Sequence, residues 1–443
     1  MAQTTVSQTV RSPNAPKNLK KVALWTLLLI AAAIGLLTVP SHRTPAAPQA
    51  AAAPIVTPQK PIPEPRASKV DYHRLEARIA QLMQMPDMVG LAVGTVENGR
   101  VTFVKGFGET VAGSGVAVAP DTVFRWASLS KSVATALVVQ LAEDGKVSLD
   151  TPLSRLGTTL KLPADARRVT LAHILSHRTG LVRNAWDDRL EAGTDARLLR
   201  AELGTLPPLC PPATCYTYQN IAFDAATEVI ERKTGETYAR VARQRLFAPL
   251  GMTHASIGQA GLESAASWAH PYHRNKVPTA VNDSYYRVPA AGGVNSSIED
   301  LLRWMQAQMG AAPNVLSAQA LEDMHRARVS TPPHGRRGPM DRALTGAAYG
   351  LGWRSYNYAG HALVGHRGSV DGYGSLILFD PAQKSGIVML WNSNYPVAGR
   401  LQLEFFDLLY GLPPTDWLDL QAAKPAPAPQ PAGNPQPTPA PAA

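Results

Sequence analysis

The sequence predicts an α/β fold of the α+β type, an antiparallel sheet flanked by helices with an all-helical subdomain inserted. Strand-like apolar runs sit at both ends of the central region, at 91–96 and 101–107 and again at 349–356, 362–366, 375–379 and 386–390. Helical periodicity dominates the stretch between them. Strands so far apart in the chain share one sheet only if the intervening helices form a body beside it. Asn98-Gly99, between the first two runs, is a preferred two-residue hairpin turn and makes the pairing antiparallel there.

The chain of 443 residues carries biased ends. Residues 1–21 form a basic leader with Lys17, Lys20 and Lys21 near its end, and 22–39 is apolar apart from Thr26, Gly35 and Thr38. Eighteen helical residues reach roughly 27 Å, close to the thickness of a bilayer core. The segment therefore reads as a transmembrane anchor with a cytoplasmic N-terminus, or as a signal peptide cleaved near the alanines of 46–53, and either exports the rest. Residues 40–69 are a Pro/Ala-rich linker, and 421–443, of the same composition, reads as a disordered tail. The folded domain is expected over 70–420.

The formal net charge of +10 suggests nucleic acid at first sight. Its position argues otherwise. Arg11, Lys17, Lys20, Lys21, Arg43, Lys60, Arg66 and Lys69 precede the domain, opposed only by Glu64, so most of the excess belongs to the leader and linker. The domain itself is nearly balanced, and no nucleic-acid partner is expected.

Taken in order, Leu75, Ile79, Leu82 and Met83 mark an amphipathic helix that stops before Pro86, and the hairpin follows. Val133, Ala134, Leu137, Val138 and Leu141 then define a buried helix that Gly145 ends, with Ser128 at its first turn. Further helices are expected at 171–176, 195–203, 222–233, 238–247 and 297–309. The last four strand-like runs follow, and an amphipathic helix at 401–410 closes the domain.

Three stretches carry chemistry. A serine and a lysine three apart, as Ser128 and Lys131 are, share a helix face, and burial under the apolar run would lower the lysine pKa so that a neutral amine accepts a proton. The free N–H groups of the helix start favour an oxyanion. Taken alone, such a pair more often marks an N-cap serine and a surface lysine. Tyr218-Gln219-Asn220 offers a phenol, which near two cations ionises below its usual value, and an amide able to bind both lysine and substrate. His366-Arg367-Gly368-Ser369 ends a strand-like run. There a second oxyanion N–H, a guanidinium for a carboxylate and a glycine that admits close approach of substrate would lie together.

In this order and spacing, Ser128-Leu129-Ser130-Lys131, Tyr218-Gln219-Asn220 and His366-Arg367-Gly368 resemble the three motifs of the serine β-lactamase and penicillin-binding-protein-like hydrolases. The likeness is to the branch of class C β-lactamases, DD-peptidases and esterases. Phe124-Arg125-Trp126-Ala127, His173-Ile174-Leu175-Ser176-His177, Gly292-Gly293-Val294-Asn295 and Tyr349-Gly350-Leu351-Gly352-Trp353 also look like that family. The resemblance implies a β-lactamase/transpeptidase-like fold and an acyl-enzyme on Ser128, with Lys131 activating it, Tyr218 as base or proton relay and Asn220 positioning lysine and substrate. It implies an oxyanion hole of the Ser128 and Ser369 N–H groups, and neither metal nor cofactor. Which of Lys131 and Tyr218 takes the first proton stays open. So does the substrate, whether β-lactam, D-alanyl or other peptidoglycan-derived peptide, or small ester, and so does slow-turnover penicillin binding. The oligomeric state is not legible.

Lys233-Thr234-Gly235 also spells a third motif of this kind but follows Asn220 too closely, and reads as a helix end with Gly235 as its cap. His173 and His177 read as core or capping histidines. Cys210 and Cys215, in an exported chain, are expected to pair just ahead of Tyr218.

Overall fold

A computed structural model describes residues 68–163, 166–332 and 338–420. The expectations for the leader, the 22–39 segment, most of the linker and the tail lie outside these residues. Among the described residues no helix is long and apolar enough to cross a membrane.

The centre is an eight-stranded antiparallel sheet. Its strands are β1 (Gly90–Glu97), β2 (Arg100–Gly108), β6 (Val329–Ser330), β7 (Thr345–Tyr349), β8 (Arg354–Tyr358), β9 (His361–Val370), β10 (Tyr373–Asp380) and β11 (Ser385–Trp391), in the order β2-β1-β11-β10-β9-β8-β7-β6. Asn98 (φ 52°) and Gly99 (φ 80°) make the tight β1–β2 turn in the left-handed region that such turns require. A small second sheet joins β3 (Phe124–Arg125), β4 (Ser256–Ile257) and β5 (Val294–Ser296) in the order β3-β5-β4.

Both faces of the large sheet are covered. Leu91, Val93, Leu376, Leu378, Ile387 and Met389 face a core shared with α1 (Tyr72–Met83) and the helix Leu401–Tyr410. Their alternate neighbours Ala92, Ile377, Phe379, Val388 and Leu390 face a larger core containing α2 (Ser130–Glu143) and the helical subdomain. The period-two alternation survives, but every residue of β1, β10 and β11 is buried, so these strands read as continuous apolar runs.

Several expectations change in detail. The 349–356 run is not one strand: β7 ends at Tyr349, β8 begins at Arg354, and Gly352 turns the chain between them at φ 70°. The 222–233 helix starts at Asn220 and is divided into Asn220–Phe223 and Ala225–Thr234, with buried Asp224 at the break. The 238–247 helix widens into a π-helical turn over Arg243–Phe247. Lys233-Thr234-Gly235 ends a helix with Gly235 at φ 72° as its cap, and Cys210 and Cys215 are bonded, with Cα atoms 6.4 Å apart.

Candidate active site

Ser128 lies in a 3-10 turn, Ala127–Leu129, directly ahead of α2. The turn is pinned from several sides. Trp126 N–H donates to Val294 O (2.9 Å), Trp126 Nε1 to Ser296 Oγ (2.8 Å) and Ser375 Oγ to Trp126 O (2.6 Å). Val294 N–H also donates to Ser130 Oγ (3.0 Å). Ala127 takes φ 48°, an unfavourable backbone conformation for a residue with a Cβ, at a cost of order 1 kcal/mol that these bonds offset.

Lys131, on the first turn of α2, is fully buried. Its Nζ donates to Asn220 Oδ1 (2.7 Å) and Ala291 O (2.9 Å) and lies 3.3 Å from Ser128 Oγ. The orientation of the Asn220 amide is fixed by chemistry: its Nδ2 donates to Asp187 Oδ2 (2.7 Å), and an ionised carboxylate only accepts. Removal from water lowers the lysine pKa to about 7, against the fields of Asp187 and Asp224 and with that of Arg354. A neutral Lys131 fills every contact, with two N–H bonds to Asn220 and Ala291 and its lone pair toward the Ser128 hydroxyl.

Tyr218 Oη donates to Ser128 Oγ (2.8 Å), and Lys131 Nζ lies 4.8 Å from the Tyr218 ring centre. Here the structure corrects the sequence. Burial pushes the phenol up to about 12, outweighing the Ser128 hydrogen bond, Arg354 and Arg183, all of which favour the phenolate. Proximity to cations does not ionise it, because the same packing that brings them close removes the water a phenolate needs. Of the two candidate bases, Lys131, lowered to about 7, is the one with a substantial unprotonated population near neutral pH.

β9 forms the opposite wall. The β8–β9 register ends with Arg354 opposite Gly365, so residues 366–370 run past β8 and their edge on that side borders the cleft. Ser128, Tyr218, Asn220, His366, Arg367 and Ser369 all line this cleft. Gly368 also meets a packing constraint. A Cβ there would meet Trp126 O at 2.2 Å and Ser375 Oγ at 2.3 Å, with Ser128 N at 3.0 Å, so the Ser128 turn itself presses on the strand.

His366 and Arg367 point apart, as neighbours on a strand must. His366 faces the site: its Nε2 lies 2.9 Å from Tyr349 Oη and its Nδ1 2.7 Å from Arg367 O. Tyr349 Oη also meets His177 Nε2 at 3.2 Å, and His177 Nδ1 accepts from Gln219 N–H (3.1 Å). Since Gln219 N–H can only donate and Arg367 O only accept, the chain is complete with both imidazoles neutral and the Tyr349 hydroxyl donating to His366. Burial also holds His177 well below the usual histidine range. The Arg367 guanidinium goes to the other face, where Nη2 donates to Met340 Sδ (3.2 Å). The inward-pointing carboxylate fork expected at that position is therefore not what this side chain offers.

Several residues that the motifs did not mark complete the cleft. Arg354, 5% exposed, lines it with Nη2 on Tyr216 Oη (2.7 Å) and Nη1 without a partner. Asp187 orients Asn220, and its pKa is raised to about 6, first by burial. The His177 ring lies 4.2 Å from the Tyr218 ring, tilted by 35°. The one available signal for Arg354 was its place directly after Tyr349-Gly350-Leu351-Gly352-Trp353; Asp187 had none. His173 meanwhile caps its own helix through Thr170.

The comparisons with known proteins agree with this geometry. A family model described as Beta-lactamase matches residues 75–411. The chain is 30% identical over 332 residues to the unguisins hydrolase ungD' of Aspergillus campestris, covering 72% of this chain but only 61% of that longer protein. It is 28% identical over 314 residues to penicillin-binding protein 4 of Amycolatopsis lactamdurans, covering 68% of this chain and 79% of the relative. Among solved structures, D-alanine carboxypeptidase AmpC from Burkholderia cenocepacia superposes with a TM-score of 0.61 at 26% identity, over 77% of this chain and 99% of that one. With the motif serine, lysine and tyrosine meeting in one cleft of that fold, the chain belongs to the beta-lactamase family.

Proposed function

We propose that the protein opens β-lactams or D-alanyl peptides through an acyl-enzyme on Ser128. The observation that carries this is the convergence of Tyr218 Oη and Lys131 Nζ on Ser128 Oγ, with Asn220 fixed beside them. Ser128 Oγ attacks the carbonyl carbon as its proton passes to neutral Lys131. The oxyanion is held by the N–H groups of Ser128 and Ser369. The carbon–nitrogen bond then breaks, and the proton reaches the leaving nitrogen through Tyr218, which stays protonated at rest. Water attacks the ester, loses its proton along the same path, and frees Ser128 and the acid.

Both substrate classes place a carboxylate beside the scissile amide. Arg354, charged at any working pH and with Nη1 unpartnered, suits that carboxylate, and this favours them over simple esters. The names of two of the relatives, a penicillin-binding protein and a D-alanine carboxypeptidase, point the same way. From sequence alone we also propose export, with 22–39 as anchor or signal.

Labelled penicillin with intact-mass readout tests the reading. An adduct on Ser128 is expected, lost in Ser128→Ala with a fall of about 10⁶ in turnover. Arg354→Ala is expected to raise KM for carboxylate substrates at least tenfold, as for a lost charged hydrogen bond of about 1.5–3 kcal/mol, whereas Arg367→Ala leaves KM near wild type. Near wild-type turnover by Ser128→Ala overturns the mechanism.

A further inference from the structure

The cleft is electrically divided. Arg354 and Arg183 act on its Tyr216 and Tyr218 side. The Asn220 side carries carboxylates instead. Asp187 is 8% exposed and lines the cleft; its Oδ2 accepts from Asn220 Nδ2, while its Oδ1 is buried without a partner. Glu191, one helical turn on, lines the adjoining pocket together with Tyr285, Ser369 and Val370. Tyr285 Oη joins the two, 2.9 Å from Glu191 Oε1 and 3.4 Å from Asp187 Oδ2.

Two carboxylates at i and i+4 on a five-residue helix repel each other and destabilise that helix. Among the described residues no neighbouring cation pairs with them: Arg125, which lines the pocket with Glu191, donates Nη1 to Asn282 O (2.9 Å) and lies over the Tyr286 ring, its Nε and Nη2 without partners. Arg189 pairs with Glu202, and Arg287 binds Asp283 and the carbonyls of Leu190 and Gly193. Lys131 is the cation with the leading field at Asp187, and in the mechanism above it works as a neutral amine.

Resting on the function proposed above, we infer that Asp187 and Glu191, bridged by Tyr285, form a cation subsite, so that the acyl group delivered to Ser128 carries an ammonium or guanidinium. The placement follows from Asn220. Its amide faces Lys131 on one side and Asp187 on the other, so an acyl chain lying along it runs toward Asp187, away from Arg354. A substrate cation there would give Asp187 Oδ1 its missing partner.

Ampicillin and benzylpenicillin differ by one ammonium on the acyl side, which makes them the test. The second-order rate of β-lactam opening is measured for each with the full-length protein, and the adduct is assigned by intact mass. Ampicillin is expected to react about tenfold faster, the worth of one charge-assisted hydrogen bond. In Asp187→Asn, which keeps an acceptor for Asn220, the ratio should fall toward one. Equal rates in the wild type, or faster benzylpenicillin, overturn the subsite and leave the hydrolase reading intact. Absence of reaction with both overturns the β-lactam reading, and the subsite with it.

Discussion

In the proposed mechanism the chemistry turns on Lys131, and its environment predicts a pH profile. With its pKa lowered to about 7, the neutral base gains population as pH rises through that value, so kcat/KM should climb from about pH 6 to 8. Asp187 opposes the shift, because its negative field favours the protonated lysine. Asp187→Asn should therefore move the rising limb to lower pH, and an unchanged or upward-moving limb in the measured profile would contradict the assignment of Lys131 as base. The Ser-x-x-Lys spacing revealed the pair without the structure. The Tyr-Gln-Asn stretch supplied the Asn220 contact, but the Ala291 and Asp187 contacts behind it were not legible, because those residues are dispersed over the chain and only folding collects them. The Tyr218 phenol shows the same division: its identity was legible, its raised pKa was not, since burial is a property of the whole packing.

Among the elements, β9 presses directly on the Ser128 turn. Gly368→Ala would drive a methyl into Trp126 O and Ser375 Oγ, and overpacking of this kind costs about 1–3 kcal/mol. Because Ser128 N is within reach of the same methyl, the penicillin acylation rate should fall more than the denaturation midpoint alone explains, and the two measurements together check it. An intact rate would mean that β9 moves away from the turn freely. The sequence located β10, β11 and the helix Leu401–Tyr410 well, since a long apolar run or clean amphipathic period survives any context, but it ended β9 at His366 although the strand runs on to Val370 through polar residues and glycine. It merged β7 with β8, because Tyr349 to Trp353 is aromatic and apolar while its turn depends on one left-handed glycine packed against Lys131 O. It also missed the break at Asp224, which exists because that carboxylate turns inward to Arg200 and the Ala290 N–H, next to the carbonyl that holds Lys131.

Across the whole molecule, the first strand pairs with the last. β1 lies between β2 and β11, and the helix Leu401–Tyr410 seals the sheet face that α1 also covers. A chain trimmed to residues 68–420 should keep the denaturation midpoint and Ser128 acylation of the full protein, since both cores lie within it. Ending the chain at Arg400 should instead abolish cooperative folding. It removes Leu401, Leu403, Phe405, Phe406 and Leu409, all at most 4% exposed, and at about 1.5–3 kcal/mol each their loss matches the whole net stability of a domain. A cooperative transition in the shorter chain, seen by circular dichroism, would refute this. The sequence by itself determined the strand and helix inventory, the serine, lysine, tyrosine and asparagine of the site, and the cysteine pair. These rest on local periodicity, fixed spacing and chemical type, all of which are written in neighbouring residues. The tertiary structure alone decided that Arg367 points away while Arg354 points in, that Tyr218 keeps its proton, and that Asp187 stands behind Asn220. Each of these depends on which sheet face, and how much water, a side chain meets once residues hundreds of positions apart have packed together.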